Sequence, residues 1–304
     1  MLIANPIYDV VFKYLLDDNK IARIIISAII NEEIESLEYK PLEHRVQIDK
    51  GAGFTVYHID FAATIKTKEG EHKQVIIEIQ KAKFSSDIMR FRKYLGFQYM
   101  DENNYVKEPD VAYGKKKALP IISIYFLGYS LNQIEAPVIA VKRKYYDVSQ
   151  NTEINIKDEF IESLTHDSFV IQIPYLKKRR RNDLEILLSI FDQGNILYDH
   201  HIINVNDEDF PERYRPIIRR LQKAHAEKEV RDSMDTEDFY LRDMEDYERE
   251  IAERDGTIEE MDKAIAKRDM AIQEKDKAIE DKDKAIEDKD KMITDLKNRL
   301  RNNQ

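Results

Sequence analysis

The stretch His58-Ile59-Asp60-Phe61, followed by Ile76-Ile77-Glu78-Ile79-Gln80, decides how this chain reads. Side chains alternate across a β-strand, so His58, Asp60 and Ala62 share one face, with Ile59 and Phe61 on the other. On the second segment Glu78 and Gln80 share a face, opposite Ile77 and Ile79. Between them, Thr67-Lys68-Glu69-Gly70-Glu71-His72 supplies a polar hairpin loop. A hairpin centred on Glu69 sets Asp60 across from Glu78, and one centred on Gly70 sets it across from Gln80. Either register gathers two carboxylates and an amide on one sheet face. Two close carboxylates repel each other unless a cation lies between them. Oxygen ligands of this kind suit Mg²⁺ or Mn²⁺, which polarise a phosphodiester and acidify a bound water. Spacing alone equally permits an exposed hairpin with solvated carboxylates. The apolar flanks favour a sheet covered on both sides, where a Glu and a Gln need a reason.

Outward from this pair, Asn5-Pro6 opens a first helix with Asp9 at its positive end, and Asp17-Asp18-Asn19 caps a second, Lys20 to about Ile30. Residues 36–48 read as a strand interrupted at Pro41, and Phe54 to Lys66 as one strand running through Asp60. Ser85-Ser86-Asp87 caps a helix reaching about Met100. Leu119-Pro120-Ile121-Ile122-Ser123-Ile124-Tyr125-Phe126-Leu127 is a near-continuous apolar run, suited to a strand buried on both faces. Residues 138–145 and 168–173 are further strands, and 182–192 and 211–225 are helices. Helices on either side of a central sheet define an α/β domain.

Charged residues make up 36% of the 304, and the excess is uneven. Residues 226–304 carry 17 Lys and Arg against 26 Asp and Glu, so only −1 of the net charge of −10 belongs to residues 1–225. The acidity describes the tail and does not argue against a nucleic-acid partner for the body. With no cysteine, thiolate metal sites and disulfides are excluded. No apolar run is long enough to span a bilayer, and the first residues lack a basic, then apolar, leader, so the expected location is cytoplasmic with no membrane association. Glycine-rich phosphate loops, dinucleotide fingerprints and Gly-x-Ser-x-Gly elbows do not occur.

The tail repeats every seven residues: Ile251, Ile258, Ile265, Ile272, Ile279, Ile286, Ile293 and Leu300. That period predicts a left-handed coiled coil and a homo-oligomer. Its seam is thin, because the position three after each Ile is mostly Lys or Arg. A charged single helix held by i,i+4 pairs is the other reading.

The order Asp9-Val10-Val11-Phe12-Lys13, Ile59-Asp60-Phe61, Ile77-Glu78-Ile79-Gln80 and Arg90-Phe91-Arg92-Lys93-Tyr94 resembles the PD-(D/E)XK nuclease superfamily. More narrowly it is similar to the transposase-like branch of recombination-promoting nucleases, in which Gln commonly stands where the motif has Lys. The resemblance covers residues 5–135 closely and 136–225 loosely, and leaves out the heptad tail. It implies a restriction-endonuclease-like core with a mixed central sheet flanked by helices. It implies Asp60 and Glu78 as metal ligands, with the Ile79 carbonyl as a third and Mg²⁺ or Mn²⁺ as the ion. Gln80 takes the catalytic lysine's place; it can orient a water but brings no charge. Asp9 approaches as a ligand or water-positioning group.

Arg90 and Tyr94, at i and i+4, share a helix face beside this site and are expected to meet nucleic acid. The run Lys177-Lys178-Arg179-Arg180-Arg181 is a candidate phosphate track, with Lys115–Lys117, Lys142–Lys144 and the Arg213–Lys223 segment as extensions. His200-His201 read as structural. The expectation is therefore a PD-(D/E)XK domain over residues 1–225 and a helical tail over 226–304. Its activity would be that of a metal-dependent DNA endonuclease. The alternative is a nuclease-like DNA-binding protein without turnover, assembled by its tail.

Overall fold

The computed structural model describes residues 1–40, 43–47, 54–58, 60–84, 87–101, 104–107, 116–177 and 180–302. In chain order the elements are β1 (Leu2–Ala4), α1 (Asp9–Leu16), α2 (Asn19–Ile30), β2 (Ile34–Tyr39), β3 (Glu43–Gln47), β4 (Phe54–His58), β5 (Phe61–Thr67) and β6 (His72–Gln80). Next come α3 (Asp87–Met100), β7 (Tyr105–Lys107), β8 (Lys116–Ala118), β9 (Ile121–Leu127), β10 (Val138–Val141), β11 (Tyr145–Asp147), β12 (Thr152–Ile154), α4 (Glu159–Leu164) and β13 (His166–Gln172). The chain closes with α5 (Asp183–Leu188), β14 (Ile202–Asn204), α6 (Arg215–Ala226) and α7 (Lys228–Asn302).

Six strands form a central sheet in the order β10-β13-β9-β6-β5-β2. The three middle strands, β13, β9 and β6, run parallel, and the outer pairings are antiparallel. One sheet face packs on α1, α2, α5 and α6 through a large apolar core that includes Phe12, Ile25, Ile77 and Leu221. Helix α2 shows how the sequence dictates this layer. The Asp18 carboxylate accepts from the amides of Lys20 and Ile21, and Asn31 closes the helix in the left-handed region at φ 57°. Its buried side chains, Ile21, Ala22, Ile25, Ile26, Ile29 and Ile30, fall on one face. Each buried isoleucine contributes about 1.5–3 kcal/mol. The other sheet face carries a small cluster of Ala62, Ile76, Phe91 and Tyr94 beneath α3.

The hairpin has the register centred on Glu69: Phe61 pairs with Ile77 and Lys66 with His72. Gly70 takes a positive φ of 86° in the turn, which glycine adopts without strain. Strand β9 is buried along almost its whole length, as its apolar run requires.

Three expectations are corrected. The helix does not open at Asn5-Pro6 but at Asp9, because the Asn5 side chain accepts from the Ile7 amide and donates to Gln193 and the His200 carbonyl, holding a turn there. Phe54 to Lys66 is two strands, β4 paired with β3 and β5 in the central sheet, with Asp60 at a bend between them. The Asp60 carboxylate takes the Ile79 amide at 2.7 Å, so a side chain sits where the next backbone partner would have been. Residues 138–145 likewise break after Val141. Pro41, Ile59, Ser85 and Ser86 lie outside the described residues.

Two compact units divide the chain, Met1–Asp243 and Met244–Gln304. The first runs past residue 225 because Val230 and Met234, on the opening turns of α7, are buried in its core. In the second, the heptad isoleucines from Ile251 to Ile293 are 48–57% exposed, and Arg254–Glu250, Lys263–Glu259 and Lys291–Glu287 form i,i+4 ion pairs. Among the described residues, no helix is long and apolar enough to cross a membrane.

Candidate functional site

Parallel strands β6, β9 and β13 end side by side at Gln80, Leu127 and Gln172. Asp60, one step beyond the Phe61–Ile77 pair, falls opposite Glu78 at this end of the sheet. Glu78 and Gln80 face α3 and are only 3% and 6% exposed. A carboxylate buried this deeply needs compensation. Yet Glu78 Oε1 has no hydrogen-bond partner among the described residues.

The electrostatics follow from that crowding. Burial and the neighbouring Asp9 carboxylate push the Asp60 carboxyl up to about 7, against the opposing pull of Lys13 and the Ile79 amide. Burial and Asp60 hold Glu78 well above the usual carboxylate range, with Arg90 acting in the other direction. Lys13, on α1, bridges the cluster: its Nζ lies 2.8 Å from Asp9 Oδ2 and 3.5 Å from Asp60 Oδ1. Burial works against its charge, but Asp60 and Asp9 keep its pKa above the ordinary lysine value.

Arg90 Nη2 donates to Gln80 Oε1 and lies 3.6 Å from Asp87 Oδ1, while Gln80 Nε2 donates to the Ala82 carbonyl at 2.8 Å. Both ends of the Gln80 amide are thereby engaged by protein. Gly128, just past β9, donates its amide to the Gln80 carbonyl at 2.7 Å, and a Cβ there would collide with the Lys81 carbonyl. Only glycine permits this approach, which seats the end of β6 against β9.

Asp9, Asp60, Glu78, Gln80, Ile79 and Arg90 are thus brought together. Tyr94 is a correction: it is 5% exposed and packs with Ala62, Ile76 and Phe91, so it serves the core and offers no surface to nucleic acid. Lys178 and Arg179 lie outside the described residues, as does Lys115. Lys177 is exposed five residues after β13, which ends beside β9 and β6 at the same end of the sheet as Gln80. Arg181 is recruited by the fold, pairing at 2.6 Å with the buried Glu185, and Arg180 lies 3.9 Å from the buried Asp192. Three arginines of the candidate extensions are also engaged. Arg143 pairs with Glu162 and Asp167 at the opposite end of the sheet, Arg213 pairs with Asp183, and Arg220 donates to the Tyr14 carbonyl.

Sequence reasoning passed over Lys13, although its place four residues after Asp9 on a helix was a visible signal. It also passed over Glu237 and Asp238, which sit in what reads as charged tail. Glu237 Oε2 accepts from the Asp9 amide at 2.9 Å, and burial, with Asp9 nearby, raises its carboxyl to about 7 against the pull of Lys81.

Among the described residues, no group of three or more His, Asp or Glu is gathered as a metal-ligand set. Two carboxylates suffice for a hard cation that retains its waters and meets a substrate phosphate. The donors here fit such an ion by chemistry, being oxygen-only, mutually repelling and including an unsatisfied Glu78 oxygen. A cavity of about 660 Å³ lies elsewhere, around His72, Pro120, Arg143 and Asp167 at the other end of the strands. Its Arg143, Glu162 and Asp167 are already paired with one another, so it lacks the unmet demand that marks the Asp60–Glu78 cluster. No protein-family model, curated protein or solved structure matches this chain.

Proposed function

We propose that Met1–Asp243 is a metal-dependent endonuclease of the PD-(D/E)XK kind, hydrolysing phosphodiester bonds in DNA. The observation that supports this most is the closeness of Asp60, held by the Ile79 amide at the end of β6, to Glu78, a buried carboxylate that the protein leaves partly unsatisfied. Asp60, Glu78 and the Ile79 carbonyl would hold Mg²⁺ or Mn²⁺, which when bound polarises the phosphate and acidifies a water. The chain's own residues supply the rest. Lys13 places a positive charge beside Asp60 where Gln80 can place none, and Gln80 holds Arg90 over the Glu78 side of the site. Asp9 keeps Lys13 in place as its i+4 partner. Lys177 and Arg90 are the candidate phosphate contacts. Pairing of two chains through the isoleucine stripe would supply two sites for the two strands of a duplex. Sedimentation equilibrium reads this directly, and a monomer at micromolar concentration removes that element.

Wild-type protein is expected to nick and linearise supercoiled plasmid with Mg²⁺ or Mn²⁺ and to stop when the metal is chelated. Asp60→Ala and Glu78→Ala should each lose the activity while still binding DNA. Intact plasmid with both metals, or undiminished cutting by either variant, overturns the reading. The engagement of both Gln80 amide ends favours one rival, a nuclease-like scaffold that binds DNA without turnover. Salt-sensitive DNA binding by a wild-type protein that never cuts would establish the rival.

A further inference from the structure

We infer that Glu237 and Asp238, on the opening turns of α7, are positioning residues for the site: they tie the start of α1, which carries Asp9 and Lys13, to the segment that leaves Gln80. The role assigned to the tie rests on the nuclease reading; the tie itself rests on geometry alone.

Helix α1 begins at Asp9, and Tyr8, the residue before it, gives it no side-chain cap. An uncapped first turn leaves amides without partners. Glu237 supplies one from outside the helix, its Oε2 accepting from the Asp9 amide at 2.9 Å. The next residue makes the second half of the tie. The Asp238 carboxylate accepts from Tyr8 Oη at 2.9 and 3.0 Å, pairs with Lys81 Nζ and meets His201 Nε2 at 3.0 Å. Lys81 Nζ also lies 3.4 Å from the centroid of the Tyr8 ring, and the His201 ring packs edge-on against that ring at 5.0 Å. Tyr8 and Met234 are fully buried beside this node, so it is anchored in the core of the first unit.

The two tied segments are the ones on which the site depends. From Asp9 the contacts pass to Lys13 and on to Asp60. From Lys81 the chain leads straight back to Gln80 and Glu78, and Gly128 closes against the Lys81 carbonyl. Among the described residues, the contacts of Glu237 and Asp238 are to Asp9, Tyr8, Lys81 and His201, and none is to Asp60 or Glu78. Their effect runs through α1 and the end of β6. A displacement of about 1 Å in such a constellation is enough to cost roughly 100-fold in rate.

The test uses the full chain with Asp238→Asn, its reciprocal Lys81→Met, and the double variant. Arg143→Gln serves as control, because its ion pairs with Glu162 and Asp167 lie at the other end of the sheet. Plasmid cleavage is separated into kcat and KM, and amide hydrogen exchange is followed in residues 8–16 and 79–83. The expected result is a fall in kcat of about tenfold to 100-fold with KM within about twofold, as for lost positioning and not lost binding. Exchange rises in both segments, the double variant is no worse than either single, and Arg143→Gln changes neither readout. Wild-type kcat in Asp238→Asn overturns the inference, as does unchanged exchange in the two segments or fully additive single losses. Should the wild type fail to cut DNA, the nuclease reading falls and the exchange pattern alone decides the tie. Should Asp238→Asn fail to fold, Lys81→Met carries the same two readouts from the other side of the ion pair.

Discussion

The two faces of β6 answer to different demands although they share one backbone. On one face Val75, Ile77 and Ile79 are buried in the main core against α1 and α2, and the one charged group there, Lys73 at the start of the strand, is paired with Glu32 and Glu71. On the other, Gln74, Ile76, Glu78 and Gln80 are just as buried, yet Gln74 Nε2 and Glu78 Oε1 lack hydrogen-bond partners among the described residues, and of the two only Glu78 is a carboxylate. The first face is what folding stability alone selects. The second retains an expense that stability would remove, and that difference is why the proposed chemistry is assigned to this face.

Substituting neighbours on the two faces should break the comparison most sharply. On the proposed metal role of Glu78, Glu78→Gln is expected to lose about 10³-fold or more in cleavage, since several kcal/mol of transition-state stabilisation would depend on that carboxylate. In the metal-free protein the same change should raise thermal stability, because it removes a buried, partly unsatisfied carboxyl and keeps the shape. Ile77→Ala, one residue away, should do the reverse. It costs about 2–5 kcal/mol of stability by leaving a cavity, with cleavage lost only to the extent that the protein unfolds. Denaturant melts beside single-turnover cleavage measure both. A destabilised Glu78→Gln protein would mean that the carboxylate is there for the fold.

Dependence on pH separates the faces next. Asp60 and Glu237 are raised to about 7 and Glu78 is raised as well, all by burial first. The folded state therefore holds protons that the unfolded chain, with carboxyls near about 4, releases. Their contribution to stability is fully present below about pH 4 and is lost as pH rises through about 7. In the absence of metal, the melting temperature should fall between about pH 5 and pH 8. Glu78→Gln should flatten that fall, and saturating Mg²⁺ should offset it at the alkaline end, by about 2.7 kcal/mol at roughly one hundred times its Kd. A melting temperature that rises over this range would contradict the assignment of raised carboxyls.

Much of the site is legible in the residues themselves. Strand parity puts Asp60 and Glu78 on one face, and the loop composition leaves two registers, of which the sheet adopts the one centred on Glu69. The caps of α2 and the apolar run of β9 follow from local chemistry that nothing tertiary overrides. What the sequence hides depends on partners distant along the chain. The bend at Asp60 exists because its carboxylate reaches the amide of Ile79, on the neighbouring strand. Tyr94 looks available because its i,i+4 spacing from Arg90 says nothing about which of the two covers Ile76. The base of α7 reads as tail, since Glu237 and Asp238 differ from their charged neighbours only in what they touch.

The smallest expected effect sharpens the comparison by asking whether polarity alone marks the α3 face. Ser123 and Ser168 stand on that same face, on β9 and β13, with their hydroxyls 2.8 Å apart, and Ser123 is fully buried. Unlike Glu78, each has its partner. Ser168→Ala should cost about 1 kcal/mol, by leaving the Ser123 hydroxyl unpaired, and should leave cleavage unchanged. Removing both hydroxyls together should restore most of that loss, because no buried group is then orphaned. If either serine variant instead lowers kcat without lowering stability, the functional surface extends along β9 and β13, and unmet demand at Glu78 is no longer what distinguishes it. Unchanged kcat in both serine variants, beside a large loss in Glu78→Gln, locates the chemistry at the end of β6, where the unsatisfied group is a carboxylate.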